Sequence, residues 1–322
     1  MKLIIIIPAL NEEDSIAKVV NSIPKRIDGI DEIKILVIDD GSKDKTAHMA
    51  QEAGALVISH SYNRGVGGAF KTGLESSLLM GADIMVNIDA DGQFSPLDIP
   101  SLIKPIQKKQ AEFVYGNRFF GDDGKTKRPE NMSIIKYWGN QRMSKLISFL
   151  TRRKFYDVSC GFRAYSKEAL LRLNLTGNFT YTQESFLDLA FKGVEINFIP
   201  ITVKYFKNRQ SRVANNLFRY FLQTIKIIIR VYRDYRPLQF FGILGAIPFI
   251  IGFASSVFMI IHYINTLSFS PFKFVGFAAI YLNSLGIILW IIGLLADMFV
   301  RVRLNQEQIL YYEKKRAFVD KD

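Results

Sequence analysis

Short, continuously apolar runs alternate with helically spaced apolar positions over the first 120 residues. The runs predict strands at Leu3–Ile7, Ile33–Asp39, Leu56–Ser59, Ile84–Ile88 and Phe113–Gly116, with helices between them at about 13–22, 43–53, 66–80 and 98–109. Strands without polar alternation belong to a parallel sheet covered on both faces. The strand–helix alternation predicts an α/β, doubly wound, mostly parallel sheet. Ligands of such sheets bind beyond the carboxyl ends of the strands. Three polar clusters fall at such ends: Pro8–Asn11, Asp39–Ser42 and Asp89–Gln93.

The pattern then loosens. Residues 120–135 carry glycine, proline and charge and read as a mobile loop, followed by a basic helix over 133–150. Further helices are expected at 167–173 and 182–192, and a strand at Ile196–Val203. From Asn215 to Arg236 apolar residues recur at helical spacing, interrupted by Arg219, Lys226, Arg230 and Arg233. A basic amphipathic helix of this kind lies in a membrane interface, although a soluble surface helix has the same pattern. Phe240–Ile261 and Phe274–Ala296 follow, 22 and 23 residues without a charged side chain. About 20 apolar residues cross a bilayer as a helix, so a hairpin of two spanning helices is expected.

Composition sharpens this division. The net charge is +12, yet residues 125–154 and 203–236 each carry nine Lys/Arg against one acid, leaving the remainder slightly acidic. The second basic block abuts the hairpin, which points to a membrane surface and away from nucleic acid. Arg301, Arg303, Lys314, Lys315 and Arg316 follow the hairpin, and basic flanks on both sides place both ends in the cytoplasm. The apolar run at Leu3–Ile7 is too short for a secretory signal and stops at Pro8. The domain it begins is therefore expected on the cytoplasmic side. One cysteine, Cys160, excludes an internal disulfide.

Asp89 and Asp91 end a buried-looking strand at a spacing that points both side chains the same way. Two such carboxylates, with Gln93 as a further oxygen donor, suit Mg²⁺ or Mn²⁺ bound together with substrate phosphate; a polar turn is the alternative. Asp39 and Asp40 can accept hydrogen bonds from a ribose or a base edge, or simply form a turn that Ser42 caps. Asn63–Ala69 opens a helix with glycines at 65, 67 and 68, which favours phosphate. It matches neither the dinucleotide fingerprint nor a P-loop. Arg64 and Lys71 either meet phosphate or are solvated.

Six motifs occur in order: Ile7-Pro8-Ala9-Leu10-Asn11-Glu12, Val37-Ile38-Asp39-Asp40-Gly41-Ser42, Asn63-Arg64-Gly65, Asp89-Ala90-Asp91-Gly92-Gln93, Gly116-Asn117-Arg118-Phe119 and Ser159-Cys160-Gly161-Phe162-Arg163. Over roughly residues 1–212 the chain resembles family 2 glycosyltransferases of the GT-A fold, and among them the polyprenyl-phosphate glycosyltransferases such as dolichyl-phosphate mannose synthase. The two-helix anchor is similar to that of the bacterial undecaprenyl-phosphate glucosyltransferases. The resemblance implies that Pro8, Asn11, Glu12, Asp39 and Asp40 bind the nucleotide and that Asp89, Asp91 and Gln93 hold the metal. It implies that Arg118 meets the acceptor phosphate, with Lys136 and Asn140, one turn apart, standing where the family has an Arg–Ser pair. Arg209 and Arg212 match its later basic element without the family's glycine.

The expected domains are a catalytic GT-A domain over 1–212, an interface helix over 213–236, the hairpin over 237–300 and a cytoplasmic tail over 301–322. The resemblance implies inverting, metal-dependent transfer of a hexose, glucose or mannose, from a UDP- or GDP-sugar to undecaprenyl or dolichyl phosphate. It further implies a homo-oligomer, such as a tetramer, in the plasma membrane. N-acetylhexosamine donors and a non-catalytic membrane scaffold are the alternatives. A processive polysaccharide synthase would carry Gln-x-x-Arg-Trp, but Trp138 and Trp290 follow Tyr137 and Leu289. A phosphate acceptor is largely ionised at neutral pH, its second pKa being about 6, so no general base is required. Asp157 and Glu184 are the candidates if one is used.

Overall fold

The computed structural model describes residues 1–120, 126–175, 181–205 and 217–319. The chain divides into two compact units, one of residues 1–228 and 311–322, the other of residues 229–310.

The first unit is built on a seven-stranded sheet in the order β3-β2-β1-β4-β6-β5-β7. Its strands are β1 (Lys2–Ala9), β2 (Glu32–Asp39), β3 (Leu56–Ser59), β4 (Ile84–Asn87), β5 (Phe113–Asn117), β6 (Arg163–Ser166) and β7 (Ile196–Pro200). Leu3 to Ile7 lie at the centre of the sheet and are completely buried, which accounts for an apolar run without alternation. β1 pairs in parallel with β2 and β4. The strand missing from the sequence reading is β6, which runs antiparallel to both β4 and β5. Its four residues include Arg163 and Ser166, so no apolar run announces it. The expected strand at 196–203 stops at Pro200, and Val203 makes only an isolated bridge to Phe94.

The covering helices are α1 (Ile16–Asn21), α2 (Thr46–Glu52), α3 (Val66–Leu79), α4 (Ile99–Gln107), α5 (Ile134–Thr151), α6 (Lys167–Arg172) and α7 (Thr182–Phe191). α4 buries Ile99, Leu102, Ile103 and Ile106, one face of a helix. α3 approaches β1 closely at Gly73, where a Cβ would stand 2.9 Å from the Ile6 side chain. Ser42 does not cap α2. Its hydroxyl accepts from the Asn11 N–H, and Asp44 instead accepts from the Thr46 N–H at the helix start.

α8 (Leu217–Tyr235) lies within the 213–236 span expected of the interface element, of which residues 213–216 lie outside the described residues. α9 (Pro237–Thr266) and α10 (Lys273–Phe318) are both long and apolar enough to cross a membrane. In their most apolar windows only 17% and 11% of residues are buried, unlike the core helices of a soluble domain. The two helices pack through small residues seven apart: Gly245 and Gly252 on α9, Ala279, Gly286 and Gly293 on α10. A Cβ on Gly245 would stand 2.8 Å from the Gly286 carbonyl oxygen, so the backbones meet as small-residue interfaces allow. Asn283 donates to the Ser256 hydroxyl and Trp290 to the Gly242 carbonyl across the same seam. α10 runs without a break into the span expected as a tail, as far as Phe318. Its last turns belong to the first unit, where Tyr311 donates to Glu168 and Lys314 to Leu173 O and Asn174 Oδ1.

Candidate active site

β1 and β2 end side by side, with Ala9 opposite Asp39, so the loops that leave them interlock. Asn11 adopts a left-handed φ of 48°; its N–H donates to Ser42 Oγ at 2.9 Å and its Oδ1 accepts from the Lys43 N–H at 2.8 Å. Glu12 N–H donates to Thr46 Oγ1 and the Glu12 carboxylate accepts from Ser15 Oγ, each at 2.7 Å. Asp39 is buried and accepts from the Ser42 N–H at 3.0 Å. Asp40, its equal in the sequence, is turned to another loop: Oδ1 accepts from the Arg64 N–H at 2.9 Å and lies 2.7 Å from His60 Nδ1. His60 Nε2 meets Thr72 Oγ1 at 2.9 Å. Asp40 thus anchors the Asn63-Arg64-Gly65 turn. Pro8 is opposite Ile38 within the paired strands and shapes the rim through backbone.

Asp89 and Asp91 leave β4 on the same rim, next to the end of β1, since Ile6 is opposite Asn87. Their loop rests on the Val158–Arg163 segment. A Cβ on Gly161 would lie 2.8 Å from both oxygens of Asp89, so any larger residue there must displace the Asp89 carboxylate. Asn87 Nδ2 fixes this approach by donating to Gly161 O at 2.7 Å and Tyr181 Oη at 2.8 Å. Arg163, fully buried, donates to Cys160 O, Val158 O, Thr182 O and Ser185 Oγ, and so folds the segment around its guanidinium. Burial, then the facing Asp91 carboxylate, pushes the Asp89 pKa up to about 7, while Arg118 and Arg163 act in the opposite sense. Two carboxylates in this state attract a cation. Among the described residues no group of three or more His, Cys, Asp or Glu could hold a metal. A two-carboxylate site suits Mg²⁺ or Mn²⁺, which take remaining ligands from water and substrate phosphate. Gln93 is fixed through its backbone: its N–H donates to Asp91 Oδ1 and its carbonyl accepts from the Lys204 N–H. Beside the pair lies a cavity of about 780 Å³, lined in part by Asn11, Glu12, Ser15, Lys18, Asp91 and Gly92. This is in the range of small-ligand sites.

Arg118 follows β5. Because β4 and β5 are both antiparallel to β6, they run the same way, and Arg118 emerges on the rim that carries Asp89. Two strand spacings, roughly 10 Å, separate the strands. Arg118 Nε and Nη2 donate to Asp157 Oδ2 and Oδ1 at 2.7 and 2.8 Å, its N–H to Oδ2 at 3.2 Å, and Nη1 to Tyr205 Oη at 2.9 Å. Burial opposes the guanidinium charge, but Asp157 outweighs it and raises the pKa well above the ordinary arginine value. Both Asp157 oxygens are engaged, so Asp157 serves as the arginine's counter-ion rather than as a free base. Lys136 and Asn140 lie one turn apart on α5, whose first turn packs Tyr137 against Phe119, the neighbour of Arg118. α5 also exposes Ile134, Ile135, Trp138 and Phe149 together with Lys136, Arg142 and Lys145. Arg209 and Arg212 lie outside the described residues. Sequence reading missed Gly161, Asn87 and Tyr205 as site-forming residues. Of these only Gly161 carried a signal, as part of a quoted motif.

The mixed seven-stranded sheet, with an acidic pair at the end of β4, is a GT-A-like fold. Residues 4–173 match the model of Glycosyl transferase family 2, and the chain belongs to that family. It is 34% identical over 231 residues to a UDP-N-acetylglucosamine–dolichyl-phosphate N-acetylglucosaminyltransferase of Methanococcus voltae, an alignment covering 66% of this chain and 89% of that one. It is 26% identical over 226 residues to an undecaprenyl-phosphate mannosyltransferase of Micrococcus luteus, covering 67% and 89%. The fold matches glucosyl-3-phosphoglycerate synthase of Mycobacterium tuberculosis, solved with Mn²⁺, UDP and glucosyl-3-phosphoglycerate. The TM-score is 0.55 at 23% identity, over 71% of this chain and 79% of that one.

Proposed function

We propose that this glycosyltransferase moves a single sugar from a nucleotide diphosphate sugar to a polyprenyl phosphate at the cytoplasmic face of a membrane, with inversion at the anomeric carbon. The observation that carries the reading is the division of charge on one rim: paired carboxylates at Asp89 and Asp91, and a guanidinium at Arg118 kept charged by Asp157. A leaving nucleoside diphosphate needs a cation, and an attacking phosphate needs a positively charged partner. Both named relatives act on a lipid phosphate. Two helices apolar enough to cross a membrane and, separately, the exposed aromatic and basic residues of α5 support a lipid-borne acceptor.

In the mechanism, Asn11, Glu12 and Asp39 shape the nucleotide end of the site. Asp89 and Asp91 would hold Mg²⁺ or Mn²⁺, with Gln93 beside them, and the bound ion would supply Lewis-acid stabilisation of the departing diphosphate. Arg118, with Lys136, Asn140, Arg209 and Arg212, binds and orients the acceptor phosphate so that one oxygen faces the anomeric carbon. That oxygen is already ionised, in keeping with a rim on which Asp157 is committed to Arg118. Glucose and mannose are the sugars proposed first; the Methanococcus relative adds N-acetylglucosamine. The chain is proposed to work as a homo-oligomer in the plasma membrane.

The deciding experiment presents purified full-length protein with Mn²⁺, undecaprenyl phosphate and a panel of UDP- and GDP-sugars. One lipid-linked monosaccharide is the expected product. Transfer only to a soluble phosphorylated acceptor, or a polymeric product, would overturn the reading.

A further inference from the structure

We infer that residues Ile201–Tyr205 form a strap that couples the metal loop to the acceptor arginine, with the Tyr205 hydroxyl as a positioning contact for Arg118. The strap begins where β7 ends. Ile201 N–H donates to Asn117 O at 3.1 Å, one residue before Arg118. The Ile201 side chain fills the space over Gly116, where a Cβ would stand 2.5 Å from Ile201 Cδ1. Val203 then bridges to Phe94, and Lys204 N–H donates to Gln93 O at 2.9 Å, which ties the strap to the loop that carries Asp91. One residue later Tyr205 Oη accepts from Arg118 Nη1 at 2.9 Å, and Tyr205 O accepts from Asn131 Nδ2 at 3.4 Å. Five residues therefore touch β5, the metal loop, Arg118 and the entry to α5 in turn.

The chemistry of the contact is specific. A guanidinium has five N–H groups. Asp157 takes two side-chain donors and Tyr205 a third, which leaves one N–H on each terminal nitrogen for a phosphate. Without Tyr205 the Asp157 pair still holds the charge, but the far nitrogen loses its second fixed point. Burial raises the Tyr205 pKa against the opposing effect of Arg118. The hydroxyl thus remains neutral and does not compete with an anion for the arginine. The Gln93–Lys204 hydrogen bond gives a contiguous path by which a cation drawn to Asp89 and Asp91 changes the setting of Arg118.

The inference rests on the lipid-phosphate reading, and two measurements keep the two separable. First, hydrogen exchange is followed across Gly116–Phe119 on addition of Mn²⁺ and UDP, which needs no acceptor. Slowing is expected in the wild type and its loss in Tyr205→Phe; no change in the wild type, or equal slowing in both, overturns the strap. Second, steady-state kinetics with undecaprenyl phosphate are compared for Tyr205→Phe, Arg118→Ala and the double variant. Tyr205→Phe is expected to raise the acceptor KM about 3- to 10-fold, the size of one lost hydrogen bond. The donor KM should stay unchanged. In the Arg118→Ala background the further change should be under about 2-fold, because the tyrosine acts through the arginine. Independent, multiplicative effects, or an equal rise in donor KM, overturn the proposal. If the wild type makes no lipid-linked sugar, the lipid-phosphate reading fails, and the exchange measurement still decides the strap.

Discussion

Gly161 and Asp89 meet so closely that a methyl group on the glycine would stand 2.8 Å from both carboxylate oxygens. The glycine is followed by Phe162 and Arg163 in a segment wrapped around the buried Arg163 guanidinium, so it has no room to retreat. Gly161→Ala must push the Asp89 carboxylate out of register with Asp91. We expect at least a tenfold loss of Mn²⁺ affinity by calorimetry, with about 1–3 kcal/mol of destabilisation from overpacking. Unchanged metal affinity would show that Asp89 does not bind the ion from this position.

The same carboxylate sets a pH dependence. Burial and Asp91 raise its pKa from 3.8 to about 7. In metal-free protein this contributes stability that is fully present below the unfolded value and lost as pH rises through about 7, because the folded state holds the proton more tightly. A cation needs the ionised form. The shift in thermal midpoint caused by Mn²⁺ should therefore grow from pH 6 to pH 8, with apparent affinity rising up to about tenfold per unit below pH 7. Thermal unfolding at three pH values checks this; a pH-independent shift would mean that Asp89 is ionised throughout.

What the sequence disclosed followed from what each feature depends on. β1, β2 and β4 were legible because central parallel strands are apolar on both faces. Asp89 and Asp91 were legible because a period of two at a strand end fixes a shared direction. β6 was not, because its pairing depends on long-range contacts with β4 and β5 rather than on a run of its own. Asp39 and Asp40 looked alike as neighbours, and what separates them is the contacts of Asp40 with His60 and Arg64, twenty and twenty-four residues on. Asp157 lies 39 residues from the arginine it holds, a relationship that no local pattern carries.

Asp157 itself offers the next test. It is fully buried, Arg118 is nearly so, and two parallel hydrogen bonds join them. Breaking such a pair from one side leaves a buried charge without its partner. Asp157→Asn should cost about 3–5 kcal/mol of stability, and Arg118→Met a similar amount. The Arg118→Met/Asp157→Asn double variant should lose clearly less than the sum. Denaturant unfolding of the four proteins measures this coupling. Additive losses would show that the two side chains do not stabilise each other.

Trp138 stands 57% exposed on α5, with Ile134, Ile135 and Phe149 also uncovered and Lys136, Arg142 and Lys145 among them. An aromatic and basic surface of this composition favours the headgroup region of an anionic bilayer over bulk water. The only other tryptophan, Trp290, is replaced by Phe so that emission comes from Trp138 alone. In bilayers containing anionic lipid, brominated acyl chains should then quench Trp138 fluorescence, and a water-soluble quencher should be less effective. Added salt should weaken the lipid quenching, since part of the attraction is electrostatic. Phe149→Glu should weaken it further by placing a charge on the apolar stripe. Emission quenched by the aqueous reagent and indifferent to brominated lipid would leave α5 an ordinary solvated surface.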